Sequence, residues 1–337
     1  MARYDLPGFF LILSFYFSSA QEIPTPRASA HLFYFKPLQS LVLLDGYSKG
    51  VMPSSGLAET WAWKNSKWTK IDSINQPLRS LSGAAYLNDK DLIFVYGGIG
   101  SNGYDDSLRA AYTYDGKRWN TIANNAIGTR DHHEIAYDEN NKAIIVYGGQ
   151  NSRREFDTQT WIFKNNAWEA LSIPGPGPRA HHAMVYDEER KKIVLYGGNN
   201  GNSFSGDTWE FDGSQWNKIV TSINPGDRAH HSMVYDPSRK KILLYGGEVG
   251  MNIKGDVWAW DGKTWELLSD SGPARILPAV AFNADNKLLY VFGGNGGDQA
   301  TLIYSDLWEW NGKKWIQVEK GKIYKWDMQK DMFVNTQ

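Results

Sequence analysis

Three histidine pairs stand 49 residues apart: His132-His133, His181-His182 and His230-His231. Each begins two residues after an arginine, Arg130, Arg179 or Arg228. Imidazoles at such spacing suit metal binding, proton transfer or hydrogen bonding to a polar ligand. No carboxylate or cysteine is spaced to complete a metal site, so no metal is expected. The default role is hydrogen bonding within one layer. The arginines recur further, at Arg27, Arg79 and Arg275. A guanidinium fork suits a carboxylate, as on an acidic peptide. Yet a residue present in every copy is first of all a part of the repeat, leaving one or two to face a ligand. Asp207, Asp256 and Asp306 precede a tryptophan by two residues, as Glu59 does. Paired carboxylates are the tools of glycoside hydrolysis, but their regular recurrence predicts acceptors for loop amides. Nucleophile elbow, phosphate loop, zinc motif and dinucleotide fingerprint are all missing, so no catalytic residue and no cofactor is expected.

These side chains ride on a repeat of about fifty residues. Its anchor is a diglycine, at Gly97-Gly98, Gly148-Gly149, Gly197-Gly198, Gly246-Gly247 and Gly293-Gly294, with Asp45-Gly46 as a degenerate first copy. The arginine lies 18 residues before the first diglycine position in all six copies, and an aromatic follows it by seven. After the diglycine comes an aromatic pair such as Trp258/Trp260. A tryptophan (Trp68, Trp119, Trp168, Trp216, Trp265, Trp315) stands seven residues after the first of the pair. The repeat absorbs 14 of 15 Trp; Trp326 alone lies outside it. Each copy divides into four short strands. In the fifth they are expected at about 231–235, 242–245 and 257–260 and from 264, with Asp261-Gly262 as a hairpin turn. Four-stranded units with aromatic faces bury those faces only by stacking in a ring.

Arginine before the first strand, diglycine closing the second and aromatics in the third and fourth resemble the kelch repeat. The likeness covers residues 27 to about 318. It implies an all-β, six-bladed kelch-type β-propeller with four antiparallel strands per blade, at about 27–76, 77–127, 128–176, 177–225, 226–272 and 273–320. Residues 21–320 would form the propeller and 321–337 a tail, whose segment 323–326 is a possible strand. The frame suggests complete blades with no borrowed strand. In the kelch arrangement strand A lines a central channel, and the B–C and D–A loops share one face. Length variation concentrates in the B–C loops, where function gathers on a rigid scaffold. Ligand-binding candidates are therefore Arg79, Arg130, Arg179, Arg228, His133, His182 and His231, with the loop residues Tyr47, Tyr104, Asp105, Arg109, Arg153, Arg154, Asn199, Lys254, Asp298 and Tyr304. The loops of blades six, one and two are expected to form one wall of a cleft and the His/Arg layer the other. Changing Arg179 or Tyr104 to Ala is then expected to lower ligand affinity without lowering the melting temperature.

The N-terminus reads as an export signal over residues 1–20. It has Arg3, an apolar run from Phe9 to Phe17, and Ser18-Ser19-Ala20 before cleavage. The run is too short to span a bilayer. With no cysteine there is neither lipid anchor nor disulfide, and no Asn-x-Ser/Thr sequon occurs; a secreted or periplasmic bacterial protein is expected. Lys plus Arg number 36 against 37 Asp plus Glu, a net charge of −1, which argues against a nucleic-acid partner. The function expected is a monomeric binding protein with a protein, peptide or glycan ligand on the loop face. The alternative is a carbohydrate-active enzyme, such as the sialic acid mutarotase-like epimerase built on a kelch propeller. The copper-radical oxidase on a kelch ring needs a Cys cross-linked to Tyr, which this chain lacks.

Overall fold

The computed structural model describes residues 22–48, 56–72, 76–100, 103–104, 106–124, 127–327 and 332–336. The expected export signal and Asp105 lie outside them. The chain is all-β. Among the described residues, six sheets of four antiparallel strands follow one another, each built from a contiguous stretch in simple A-B-C-D order. The inner strands are His31–Phe35, Gly83–Leu87, Glu134–Asp138, Ala183–Asp187, Ser232–Asp236 and Ala279–Asn283. Each neighbours the next, and the sixth neighbours the first, so the sheets stand as blades around a central channel. In the fifth blade strand B is Lys241–Tyr245, C is Val257–Trp260 and D is Trp265–Ser269, within a residue or two of the alternation read from the sequence. Its C–D connection is a four-residue turn. The carboxylate of Asp261 accepts the Lys263 and Thr264 amides, both at 2.8 Å, while Gly262 takes φ +90°.

Aromatic side chains join the blades. The fourth-strand tryptophan of one blade meets the aromatic that ends strand B of the blade before it. The pairs are Tyr96–Trp168, Tyr147–Trp216, Tyr196–Trp265 and Tyr245–Trp315, with ring centroids 4.9–5.4 Å apart. Phe292–Trp68, at 5.4 Å, repeats the contact between the last blade and the first. Trp216 and Trp265 also donate their indole N–H across the seam to Thr160 and Thr208. These large rings supply much of the buried apolar area that holds a ring without disulfides.

The diglycines sit in the same seams. The second glycine donates its N–H to the carbonyl of the next blade's arginine: Gly98 to Arg130, Gly149 to Arg179, Gly198 to Arg228, Gly247 to Arg275, and Gly294 to Arg27 across the closure. The first glycine has φ between +60° and +72°. A Cβ at Gly197 would stand 2.5 Å from the Arg228 carbonyl oxygen, so the close approach needs glycine. The degenerate first copy works differently. Asp45, at φ +58°, accepts from Gln76 and Ser82 across the seam between blades one and two.

Two small sheets decorate the ring. In one, the blade-six B–C loop folds into Asn295–Gly296 and Leu302–Tyr304, and the tail adds Ile323–Asp327 and Met332–Asn335. The tail thus extends a loop hairpin. Trp326 and Tyr324 lie against Ile303, Ala28, Tyr47 and Leu277.

Candidate functional site

The repeat arginines are buried in the wall of the ring and bound within the chain. Arg228 is 1% exposed. Its guanidinium donates to the Gly246 carbonyl at 3.0 Å and to both oxygens of Asp256 at 2.9 Å. Arg179 holds Asp207 and the Gly197 carbonyl in the same way, Arg275 holds Asp306, and Arg27 holds Glu59. Arg130 reaches Asp157 at 2.5 Å. Arg79 donates to the Gly97 carbonyl and lies 4.9 Å over the Tyr112 ring. The carboxylate two residues before the third-strand tryptophan is therefore the arginine's partner and takes the indole N–H as well, as Trp209, Trp258 and Trp308 show. Its expected role as acceptor for loop amides gives way to this pairing. Asp157 was not picked out by spacing, because it stands four residues before Trp161 instead of two.

The second histidine of each pair is also a seam residue. His133, His182 and His231 are buried, and their rings meet Tyr96, Tyr147 and Tyr196 edge-on. Burial pushes all three imidazoles well below the ordinary histidine range, with the adjacent repeat arginine adding to it. They are neutral packing elements.

The first histidine behaves otherwise. His132, His181 and His230 border the channel at the loop-face end. Each has φ between +53° and +61°, as do Ser29, Leu81 and Leu277 at φ +51° to +56° in the other blades. This left-handed turn lets the backbone N–H of one blade reach the equivalent carbonyl of the blade before it. His132 donates to Leu81, His181 to His132, His230 to His181, Leu277 to His230, and Ser29 to Leu277. The resulting collar stacks the three imidazoles, with centroids 3.9 and 4.0 Å apart. Burial pushes His181 well below its ordinary value, and the flanking His132 and His230 push the same way.

A carboxylate closes each end of this row. His132 Nδ1 donates to Asp131 at 2.6 Å, and His230 Nδ1 lies 2.8 Å from Glu248. Fully buried Asp131 also accepts the Tyr104 hydroxyl, and Arg154 stands 4.0 Å away with its side chain 60% exposed. Phe204 meets His230 edge-on. Below the row the channel opens into a cavity of about 520 Å³.

The structure therefore brings Tyr104 and Arg154 to the imidazole row and leaves other candidates elsewhere. Arg153 is exposed beside Arg154. Asn199 pairs with Ala180 and Phe204 and caps its own loop through the Gly201 amide. Lys254 links Gly247 and Arg275 through its backbone. Tyr47 lies against the tail sheet. Tyr304 carries the Arg275 guanidinium 3.5 Å over its ring. Asp298 starts a short 3-10 turn, and Arg109 ends another beside strand C of the second blade. Arg179 takes the structural role expected of a repeat arginine, so Arg179→Ala is expected to cost stability and not to leave the melting temperature unchanged. All six histidines border the channel; His132, His181 and His230 form the row at its mouth, with His181 and His230 partly exposed and His132 buried beside Asp131, while His133, His182 and His231 pack into the seams.

Residues 111–266 match the family model of the KLHDC2/KLHL20/DRC7 Kelch-repeats domain. The match runs from the third strand of the second blade to the fourth strand of the fifth. No curated protein matches the chain. The match covers just under half of the chain; the repeat and the sheets are consistent with a kelch-type β-propeller, and the Kelch-repeat match supports a general role in protein interaction. No helix among the described residues is long and apolar enough to cross a membrane.

Proposed function

We propose that this is an exported kelch-repeat binding protein that takes a protein, peptide or glycan ligand on its loop face, over the imidazole row. The observation that supports it is the cluster of Tyr104, Asp131, His132, Arg154, His181, His230 and Glu248 at the mouth of the channel. It presents donors, acceptors and one exposed cation side by side, on loops carried by a rigid ring. The buried Asp131 holds His132 and Tyr104 in place, so the surface is pre-organised. The test is a peptide and glycan array probed with the chain from Gln21 onward. Binders that lose affinity with Arg154→Ala and Tyr104→Phe, at unchanged melting temperature, support the reading. Binders indifferent to both variants would overturn it. N-terminal sequencing of exported protein tests the signal: a start at Gln21 is expected, and a retained Met1 excludes cleavage.

A further inference from the structure

The channel carries a second polar layer below the imidazole row. The position four residues after each repeat arginine is His31, Gly83, Glu134, Ala183, Ser232 or Ala279. All six open an inner strand and pair with the last residue of strand B, as His31 with Leu44, Glu134 with Tyr147 and Ser232 with Tyr245, so they share one height along the channel. Polar side chains occupy blades one, three and five; glycine or alanine occupies the blades between. His31, Glu134 and Ser232 all border the cavity.

His31 and Ser232 have their donors used up, and Glu134 has none once it ionises. Ser232 gives its hydroxyl proton to the Pro278 carbonyl at 2.7 Å. Ser82 gives its own to Asp45 at 3.2 Å, so the 3.1 Å contact between Ser82 Oγ and His31 Nε2 requires His31 to donate. Asp45 is fixed in turn by Gln76, which Thr60 holds. This chain sets the His31 tautomer and leaves Nδ1 as an acceptor. Glu134 accepts the Met184 amide and has no ion pair among the described residues. With Glu134 ionised, three acceptors line the channel at alternate blades.

We propose that this layer binds a primary ammonium group, with the apolar body of the amine lying along Phe33, Val185, Met233 and Val280. An ammonium carries three N–H donors and no acceptor, which matches three acceptors spaced around an axis. A cation also relieves the cost of an unpaired carboxyl in a largely apolar wall. Burial pushes Glu134 up to about 8 and His31 down to about 4, so the imidazole stays a neutral acceptor and Glu134 is the group that charges. The other titratable groups bordering the cavity are the six histidines of the three pairs, Lys36, Glu139, Glu188 and the tyrosines Tyr34, Tyr86, Tyr137, Tyr186 and Tyr235; none of them figures among the causes acting on Glu134.

The test is calorimetry on the chain from Gln21 with n-hexylamine and, as a neutral control, 1-hexanol. The amine is expected to bind at least about tenfold more tightly than the alcohol, and Glu134→Gln to abolish that difference. Amine affinity is expected to rise between pH 6 and pH 8. Equal binding of the alcohol, or amine affinity unchanged in Glu134→Gln, overturns the proposal. If that variant does not fold, Ser232→Ala carries the test with an expected loss of about threefold, and an unchanged affinity overturns it. Nα-acetyl-lysine methylamide separates the sources: tighter binding than hexylamine assigns the ammonium to a partner's lysine, weaker binding to a free amine.

Discussion

The blade seams and the channel mouth are built from neighbouring residues of the same strand ends, yet their polar groups are used differently. In a seam the arginines and carboxylates answer partners in the same chain, the diglycine amides meet arginine carbonyls, and the fourth-strand tryptophans pack on aromatic rings. Arg228 with Asp256, Gly246 and Trp258 is a closed set. At the mouth the pattern breaks. His132, His181 and His230 replace the Ser29, Leu81 and Leu277 of the other blades, and the row ends on the exposed Arg154. The mouth is itself unequal. On its apolar side Leu277 packs on Ala28 and Ile303, as Tyr324 and Trp326 of the tail do, while His181 and His230 across the mouth are partly exposed. Repetition marks groups that the fold consumes, and departures from repetition mark groups left for a ligand.

The largest effect should come from breaking a seam. Arg228→Ala leaves the partly buried Asp256 without its buried cation, and a loss of about 3 kcal/mol is expected in denaturant unfolding. A loss below about 1 kcal/mol would remove the distinction between seam and mouth. Gly197→Ala forces a Cβ against the Arg228 carbonyl at a backbone of φ +68°, and about 2 kcal/mol or more should be lost. Trp265→Phe removes one indole donor from Thr208 while keeping an aromatic ring, so a smaller loss of about 1–2 kcal/mol is expected. At the mouth Tyr104→Phe should change stability by less than about 1 kcal/mol, because the residue is partly exposed and Asp131 keeps His132. The array signal should fall in the same variant.

Acid should divide the two regions more gently. His133, His182 and His231 have folded values well below the ordinary 6.5. Below pH 6.5 the unfolded chain takes up protons that the folded seams refuse, so their contribution is complete above 6.5 and declines as pH falls. His31 acts likewise between 6.5 and about 4. Glu134 has the opposite sign. Its folded value is raised from 4.5 to about 8, so its contribution is present below 4.5 and is lost as pH rises toward 8. Glu134→Gln should therefore flatten the alkaline side of the stability profile, and His182→Asn the acid side. A profile unchanged in both variants would show that neither group is buried in solution.

The repeat was legible because its spacing is rigid. An arginine 18 residues before a diglycine and a tryptophan seven after an aromatic recur only if each copy makes the same strands. Contacts between copies were not legible. That the diglycine amide meets the next blade's arginine carbonyl, that Asp157 substitutes for an acid two places later, and that Asp45 accepts from Gln76 and Ser82 are matters of which segment lies beside which. The aromatic before the diglycine, Tyr96 or Tyr245, meets a tryptophan of the following blade that no spacing within one copy names.

Local chemistry alone therefore determined the strand order, the turns and the identity of the repeat, because these depend on neighbours in the chain. Only the ring decided which histidine of a pair packs into a seam and which joins the row at the mouth, because adjacent residues point to different sides of the collar. The tertiary structure likewise decided that His31, Glu134 and Ser232 share one level. They are about a hundred residues apart in sequence, and only closure of the ring places them around one axis.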